Sequence, residues 1–176
     1  MSDSTDPSEQ PAGGARPSPG EARAVGAAEA SGLAHRVVRH RPVRSLAEAA
    51  AARGMRPDQV VKSLVVRRAD DDFLFVLVPG DRTISWPKLR DLLGVSRLSM
   101  PDAATALAAT GYERGTITPF GSTTTWPVVA DERLLGSEIS VGGGASGVTI
   151  VAMGDEVVRV LDATVADVTE PEQPRE

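Results

Sequence analysis

The sequence predicts an α+β fold, with a mixed, mostly antiparallel sheet and flanking helices. Three observations carry this. Two β-branched or aromatic runs, residues 60–66 and 73–78, stand close enough to close as a hairpin around Asp70-Asp71-Asp72. Helix-like segments with Ser starts and Gly stops interleave with further strand-like pieces. The hairpin rules out a regular parallel βαβ repeat.

In order along the chain, residues 1–32 are rich in Ser, Pro, Gly, Ala and Glu, without aromatic residues, and read as a disordered arm. Val37-Val38 starts a first strand. Ser45-Leu46-Ala47-Glu48 is a capping box opening an Ala-rich helix that stops at Gly54. Residues 57–61 form a helical turn into the strand 60–66. The strand 73–78 is apolar throughout and ends at Pro79-Gly80. Ser85 caps a helix running to Leu93 and stopped by Gly94. A brief strand at 95–98 and a helix at 101–109 follow. Residues 110–127 are irregular, full of Thr, Gly and Pro. Strands are expected at 128–130, 139–141, 148–153 and 163–168, with a short helix at 155–160. Residues 169–176 read as a frayed acidic tail. The folded unit is therefore expected over 33–168, with no internal repeat.

Composition removes several classes of function. There is no Cys, hence no disulfide framework, thiol nucleophile or thiolate metal site. The two His, His35 and His40, stand near the start without a metal-binding spacing, so no metal is expected. No stretch reaches the ~18 consecutive apolar residues of a membrane span, and no secretory signal is visible, so the expected setting is the cytoplasm. The net charge of −5 belongs to residues 1–32 and 169–176; residues 33–168 balance. Residues 33–68 hold nine Arg and Lys against Glu48 and Asp58. Such a basic stretch suits a nucleic-acid backbone, and equally an ordinary solvated surface.

Lys62 stands out. It is one of two Lys in a chain with 17 Arg, and it sits inside the apolar run Val60-Val61-Lys62-Ser63-Leu64-Val65-Val66. A charge there is costly unless it is paired, opens into a cavity, or snorkels from an edge strand to water. Two Gly-rich segments complete the candidates. Residues 110–121 pack three Gly and Pro119 into twelve positions, and a loop of this length in a compact domain is often functional. Residues 142–147 form a second Gly-rich loop, which lacks the Gly-Lys-Ser/Thr of a Walker motif. It reads either as a flexible hairpin or as a set of backbone donors facing a ligand oxygen.

Val61-Lys62-Ser63-Leu64, Thr110-Gly111-Tyr112 with Gly115-Thr116-Ile117-Thr118-Pro119-Phe120-Gly121, Pro127-Val128-Val129-Ala130-Asp131, and Gly143-Gly144-Ala145-Ser146-Gly147 stand in that order. Together they resemble the YbaK family of trans-acting aminoacyl-tRNA deacylases, whose fold is that of the editing domain of bacterial prolyl-tRNA synthetases. The resemblance spans about 35–168. It implies a barrel-like sheet and metal-independent, cofactor-free hydrolysis of the ester joining a small wrong amino acid to tRNA, usually tRNA for proline. Lys62 and Gly115 correspond to the family's lysine and its Gly-x-x-x-Pro glycine and are the catalytic candidates. Thr118, Pro119, Phe120, Asp131, Gly143 and Gly144 are the substrate-binding candidates. The implied partners are the terminal adenosine and acceptor stem of an aminoacyl-tRNA, with a prolyl-tRNA synthetase as a further one. Residues 142–147 contain no His, unlike alanine-specific members, which brings the cysteine-editing and broader branches closer. A non-catalytic module of the same fold that holds tRNA or a synthetase is the alternative.

Overall fold

The computed structural model describes residues 16–173. Its helices are α1 (Pro19–Ala30), α2 (Leu46–Arg53), α3 (Trp86–Leu93), α4 (Ala103–Thr110) and α5 (Gly154–Val160). Its strands are β1 (Arg36–Arg39), β2 (Val61–Ala69), β3 (Asp72–Pro79), β4 (Arg82–Ile84), β5 (Val128–Asp131), β6 (Glu138–Gly142), β7 (Val148–Met153), β8 (Thr164–Ala166) and β9 (Thr169–Pro171). Among the described residues they form three sheets, ordered β1-β7-β6, β2-β3-β5-β8 and β4-β9. Pairing is antiparallel except for β3–β5 and β5–β8. The first two sheets touch through the bridge Val60↔Ser140. No closed barrel forms among the described residues.

The sequence dictates the centre of this arrangement. β3 is apolar at consecutive positions because both of its faces are covered. Phe73, Phe75 and Leu77 enter one hydrophobic cluster; Leu74, Val76 and Val78 enter a second. The hairpin partner β2 follows the same alternation: Val61 and Val65 face the first cluster, Leu64 and Val66 the second. Trp126 closes the first cluster edge-on to Phe73, ring centroids 5.3 Å apart, and its indole N–H donates to the Ala109 carbonyl at 2.8 Å. The start of α2 follows the expected chemistry: the Ser45 hydroxyl accepts from the Glu48 amide at 3.1 Å, and Gly54 ends the helix in the left-handed conformation, whereas Ser85 stands at the start of α3 without the expected side-chain cap bond.

Four expectations are corrected. First, α1 stands where a disordered arm was expected over 1–32; residues 1–15 of that arm lie outside the described residues. Ala24 and Ala28 are fully buried in the first cluster, and Glu21 is buried in an ion pair with Arg39 of β1. A contact face whose apolar part is two alanines one helical turn apart carries little hydrophobicity, so composition alone hides it. Second, the expected acidic tail from 169 begins as β9, with Thr169 fully buried; residues 174–176 lie outside the described residues. Its partner β4, not expected from the sequence, is equally short and polar, so neither strand carries a periodic signal. Third, the brief strand at 95–98 is replaced by a single bridge between Ser99 and Arg67. Fourth, the last expected strand, 163–168, shortens to β8, and Val168 turns into the second cluster.

Candidate functional site

The bridge Val60↔Ser140 makes a fork. Beyond it β2, an edge strand of its sheet, diverges from β6, an edge strand of the other. A cavity of about 350 Å³ opens between them. Its walls are β2 from Val61 to Val65, the ends of β6 and β7 at Val141 and Val148, α4 at Ala103 and Ala106, and the loop residues Arg114, Gly115 and Ile117. Arg53 at the end of α2 closes one side. The lining is mainly aliphatic and contains no carboxylate and no imidazole. Its ionisable side chains, Arg53, Lys62 and Arg114, are all cationic. A pocket of this size, apolar with a few positive groups, suits a small apolar side chain attached to an anionic body.

Two polar atoms at the cavity have no partner among the described residues: the Ser63 hydroxyl and the Arg53 Nε, both buried. Buried polar groups are seldom left unpaired without a reason such as a ligand. Burial also lowers the Arg53 guanidinium below its ordinary pKa range. One of its terminal nitrogens lies 3.3 Å from the His40 ring.

Lys62 lies at the cavity wall, and its amine is engaged. By strand alternation it shares a face with Leu64 and Val66. Its Nζ donates to the Arg82 carbonyl at 2.7 Å and lies 3.6 Å from the Glu172 carboxylate. A polar chain runs on from there. The Arg82 guanidinium donates to the Thr169 hydroxyl at 2.7 Å, and that hydroxyl donates to Asp131 at 2.8 Å. Asp131 is fully buried and also accepts from the Val168 amide, the Arg133 amide and the Arg133 guanidinium. It therefore ties the C-terminal segment to β5 and does not line the cavity.

Of the sequence candidates, the cavity brings together Lys62 and Gly115. Gly115 has φ +87° and an exposed position where a Cβ would meet nothing within 4 Å, so only its backbone conformation calls for glycine. Thr118 and Phe120 are buried behind the loop, and Pro119 lies between them; none lines the cavity. The Phe120 carbonyl accepts from the Tyr112 hydroxyl at 2.6 Å, an internal brace of the loop. Gly143 and Gly144 are buried too, and their neighbours Gly142, Ala145 and Gly147 line the cavity instead. Ser63, Arg53 and Arg114 are site residues that the sequence did not single out. Ser63 and Arg114 stand inside or beside the motif segments; Arg53 has no signal beyond its charge.

Both Gly-rich loops are held from outside by α1. The Arg23 guanidinium donates to the Gly111 carbonyl at 2.7 Å and to the Gly121 carbonyl at 3.4 Å. It also lies over the Tyr112 ring, 4.8 Å from the centroid. Gly144 has φ +81°, and a Cβ there would come within 2.3 Å of the Gly20 carbonyl, so the start of α1 packs on the second loop without room for a side chain. Among the described residues, no three His, Asp or Glu gather to hold a metal ion.

Comparison with known proteins agrees with this geometry. The chain is 37% identical over 79 residues to a proline–tRNA ligase of Desulfotalea psychrophila, covering 45% of this chain and 13% of the ligase. It is 31% identical over 101 residues to that of Pelobacter propionicus, covering 57% and 18%. The chain thus spans less than a fifth of these ligases. Among solved structures, a candidate trans-editing enzyme for prolyl tRNA synthetase superposes with a TM-score of 0.81 at 32% identity, over 88% of this chain and 99% of that one. A hypothetical protein superposes with a TM-score of 0.74 at 30% identity, over 81% and 96%. The model of the aminoacyl-tRNA editing domain matches residues 40–160, the stretch that builds the fork, the cavity and both Gly-rich loops, and the chain belongs to that family.

Proposed function

We propose that this protein removes a small wrong amino acid from tRNA, with tRNA for proline as the substrate body, acting in the cytoplasm as a separate editing factor. The observation that carries this is the cavity at the β2–β6 fork, aliphatic in its lining, cationic in its ionisable groups and bordered by Gly115. The aliphatic wall takes the amino-acid side chain. Arg53, Lys62 and Arg114 attract the terminal nucleotide. The Ser63 hydroxyl, without a partner among the described residues, offers a hydrogen bond to the aminoacyl group.

The reaction is ester hydrolysis. Water adds to the carbonyl carbon, the carbonyl oxygen becomes an oxyanion, and the carbon–oxygen bond to the ribose breaks as the ribose oxygen takes a proton. Backbone N–H groups around Gly115 supply the oxyanion donors, and a site of this kind works by position and electrostatics. Metal-independent turnover belongs to the same proposal. The need for such a reaction is physical: a synthetic pocket rejects an amino acid smaller by one methylene by only about 1–3 kcal/mol.

One observation favours the second reading, a tRNA-binding module without turnover: the lining offers no nucleophile beside a carboxylate or imidazole base. A deacylation panel decides between them, using tRNA for proline charged with proline, alanine, cysteine or serine. Release of a non-cognate amino acid with proline retained is expected. Tight binding without release from any of the four would leave the binding module.

A further inference from the structure

We propose that a second cleft, lined by Arg67, Arg68, Arg90 and Arg97, seats the RNA phosphate backbone next to the editing cavity. The proposal rests on the tRNA reading above and assigns where the body of that substrate lies. The cleft measures about 330 Å³, and its remaining lining is Ala69, Ser96, Leu98 and Ser99. Three separate segments deliver the four arginines: the end of β2, the last turn of α3, and the link that follows it. Arg67 and Ser99 lock that link to β2, each amide donating to the other's carbonyl, at 2.7 and 3.1 Å.

The charge is partly committed. Arg67 pairs with Asp70, and Arg68 holds Asp72 through two hydrogen bonds of 2.9 and 3.1 Å. Neither aspartate lines the cleft. Arg90 and Arg97 make no ion pair among the described residues. Four arginines line one depression, and Arg90 and Arg97, without a counter-charge among the described residues, offer forked donors that match phosphate oxygens.

Continuity with the editing cavity selects RNA over an acidic protein surface. β2 lines the cavity from Val61 to Val65 and the cleft from Arg67 to Ala69. The opposite wall does the same, Met100 and Pro101 in the cavity, Leu98 and Ser99 in the cleft. Val65 and Arg67 are two strand residues apart, roughly 7 Å at the rise of an extended chain. A nucleic-acid strand whose last nucleotide enters the cavity thus has the cleft within reach of its next phosphates. Contacts of this kind position the RNA and carry no sequence information.

The test is the double variant Arg90→Glu/Arg97→Glu in the full chain, with Arg90→Lys/Arg97→Lys as the charge-preserving control. Two substrates are compared: mischarged full-length tRNA, and the same amino acid esterified to adenosine alone, which is too short to reach the cleft. Charge reversal is expected to lower kcat/KM on tRNA at least ~10-fold and leave the short ester unchanged, with most activity kept in the Lys control. The salt dependence of tRNA affinity should flatten by ~0.7–0.9 in log–log slope for each phosphate no longer neutralised. Equal kinetics on tRNA overturn the proposal. So does loss of synthetase binding with tRNA affinity intact, which would make the cleft an acidic-protein site. If the wild type hydrolyses neither substrate, the editing reading fails on its own. Binding of uncharged tRNA then still judges the cleft, weakened by the Glu variant if it holds and unchanged if it does not.

Discussion

Arg23→Ala tests whether α1 belongs to the working domain. Arg23 makes one short charge-assisted hydrogen bond, to Gly111 at 2.7 Å, one long one, to Gly121 at 3.4 Å, and a cation–π contact with Tyr112. The short bond contributes about 1.5–3 kcal/mol when one partner is charged. A half-exposed cation–π contact adds about 0.5–1 kcal/mol. Part of this returns as solvation of the freed carbonyls, so a net loss of about 2–3 kcal/mol is expected. A domain of this size loses ~2–4 °C in Tm per kcal/mol, hence about 5–10 °C.

The two carbonyls held by Arg23 bracket the loop that carries Gly115 and Ile117 into the cavity. Loosening them should also cut the single-turnover deacylation rate, measured well below the new Tm. Arg23→Lys keeps the charge but cannot span both carbonyls with a planar fork, so it should fall between. Thermal unfolding by circular dichroism and quench-flow deacylation read the two effects separately. A Tm within ~1 °C of wild type together with an unchanged rate would refute the clamp and make α1 a dispensable arm.

Other outcomes follow from the same geometry. Gly144→Ala meets the Gly20 carbonyl at a positive φ and should cost about 2–4 kcal/mol in denaturant unfolding, whereas Gly115→Ala, in open space, should cost about 1–2 kcal/mol yet lower deacylation up to ~10²-fold. The Asp167 carboxyl, hydrogen-bonded by Lys88 and Arg133 at 2.9 Å each, is held down to about 2 from its ordinary 3.8. A folded pKa below the unfolded one means stability present above pH ~4 and lost as pH falls toward 2; the Tm gap between wild type and Asp167→Asn should close over that window.

The hydrophobic skeleton was legible because burial on two faces leaves a continuous apolar run at β3, and because α2, α3 and α4 carry their starts and stops as residue types. What escaped is packing made by small or polar residues. α1 binds through two alanines, a buried Glu21 and the Arg23 fork, none of them a large apolar side chain that would mark a buried face. β4 and β9 are three residues each and owe their place to Thr169, Arg82 and Asp131 bonding in a chain. The site shows the same division. Residue types marked both Gly-rich loops, but type does not tell which Gly of a loop faces a cavity and which packs behind it: Gly142 and Gly147 line it, Gly143 and Gly144 do not.

Lys62 stands on both sides of that division. It is conspicuous in the sequence as a charge in an apolar strand, and the structure answers the burial cost with a carbonyl and a carboxylate from the β4–β9 side. An ammonium that donates to one carbonyl at 2.7 Å and lies 3.6 Å from a carboxylate is held at a defined position beside the cavity wall. A guanidinium is longer and planar and cannot make the same single 2.7 Å bond without displacing Arg82 or Glu172. Lys62→Ala and Lys62→Arg should therefore both lower single-turnover deacylation by ~10²-fold, the scale of losing one placed electrostatic donor. Glu172→Gln keeps the Lys62 position through Arg82 and should lower the rate by only a few-fold. If Lys62→Arg works as well as wild type, the amine has no positional task, and the lysine is an edge-strand charge reaching for water.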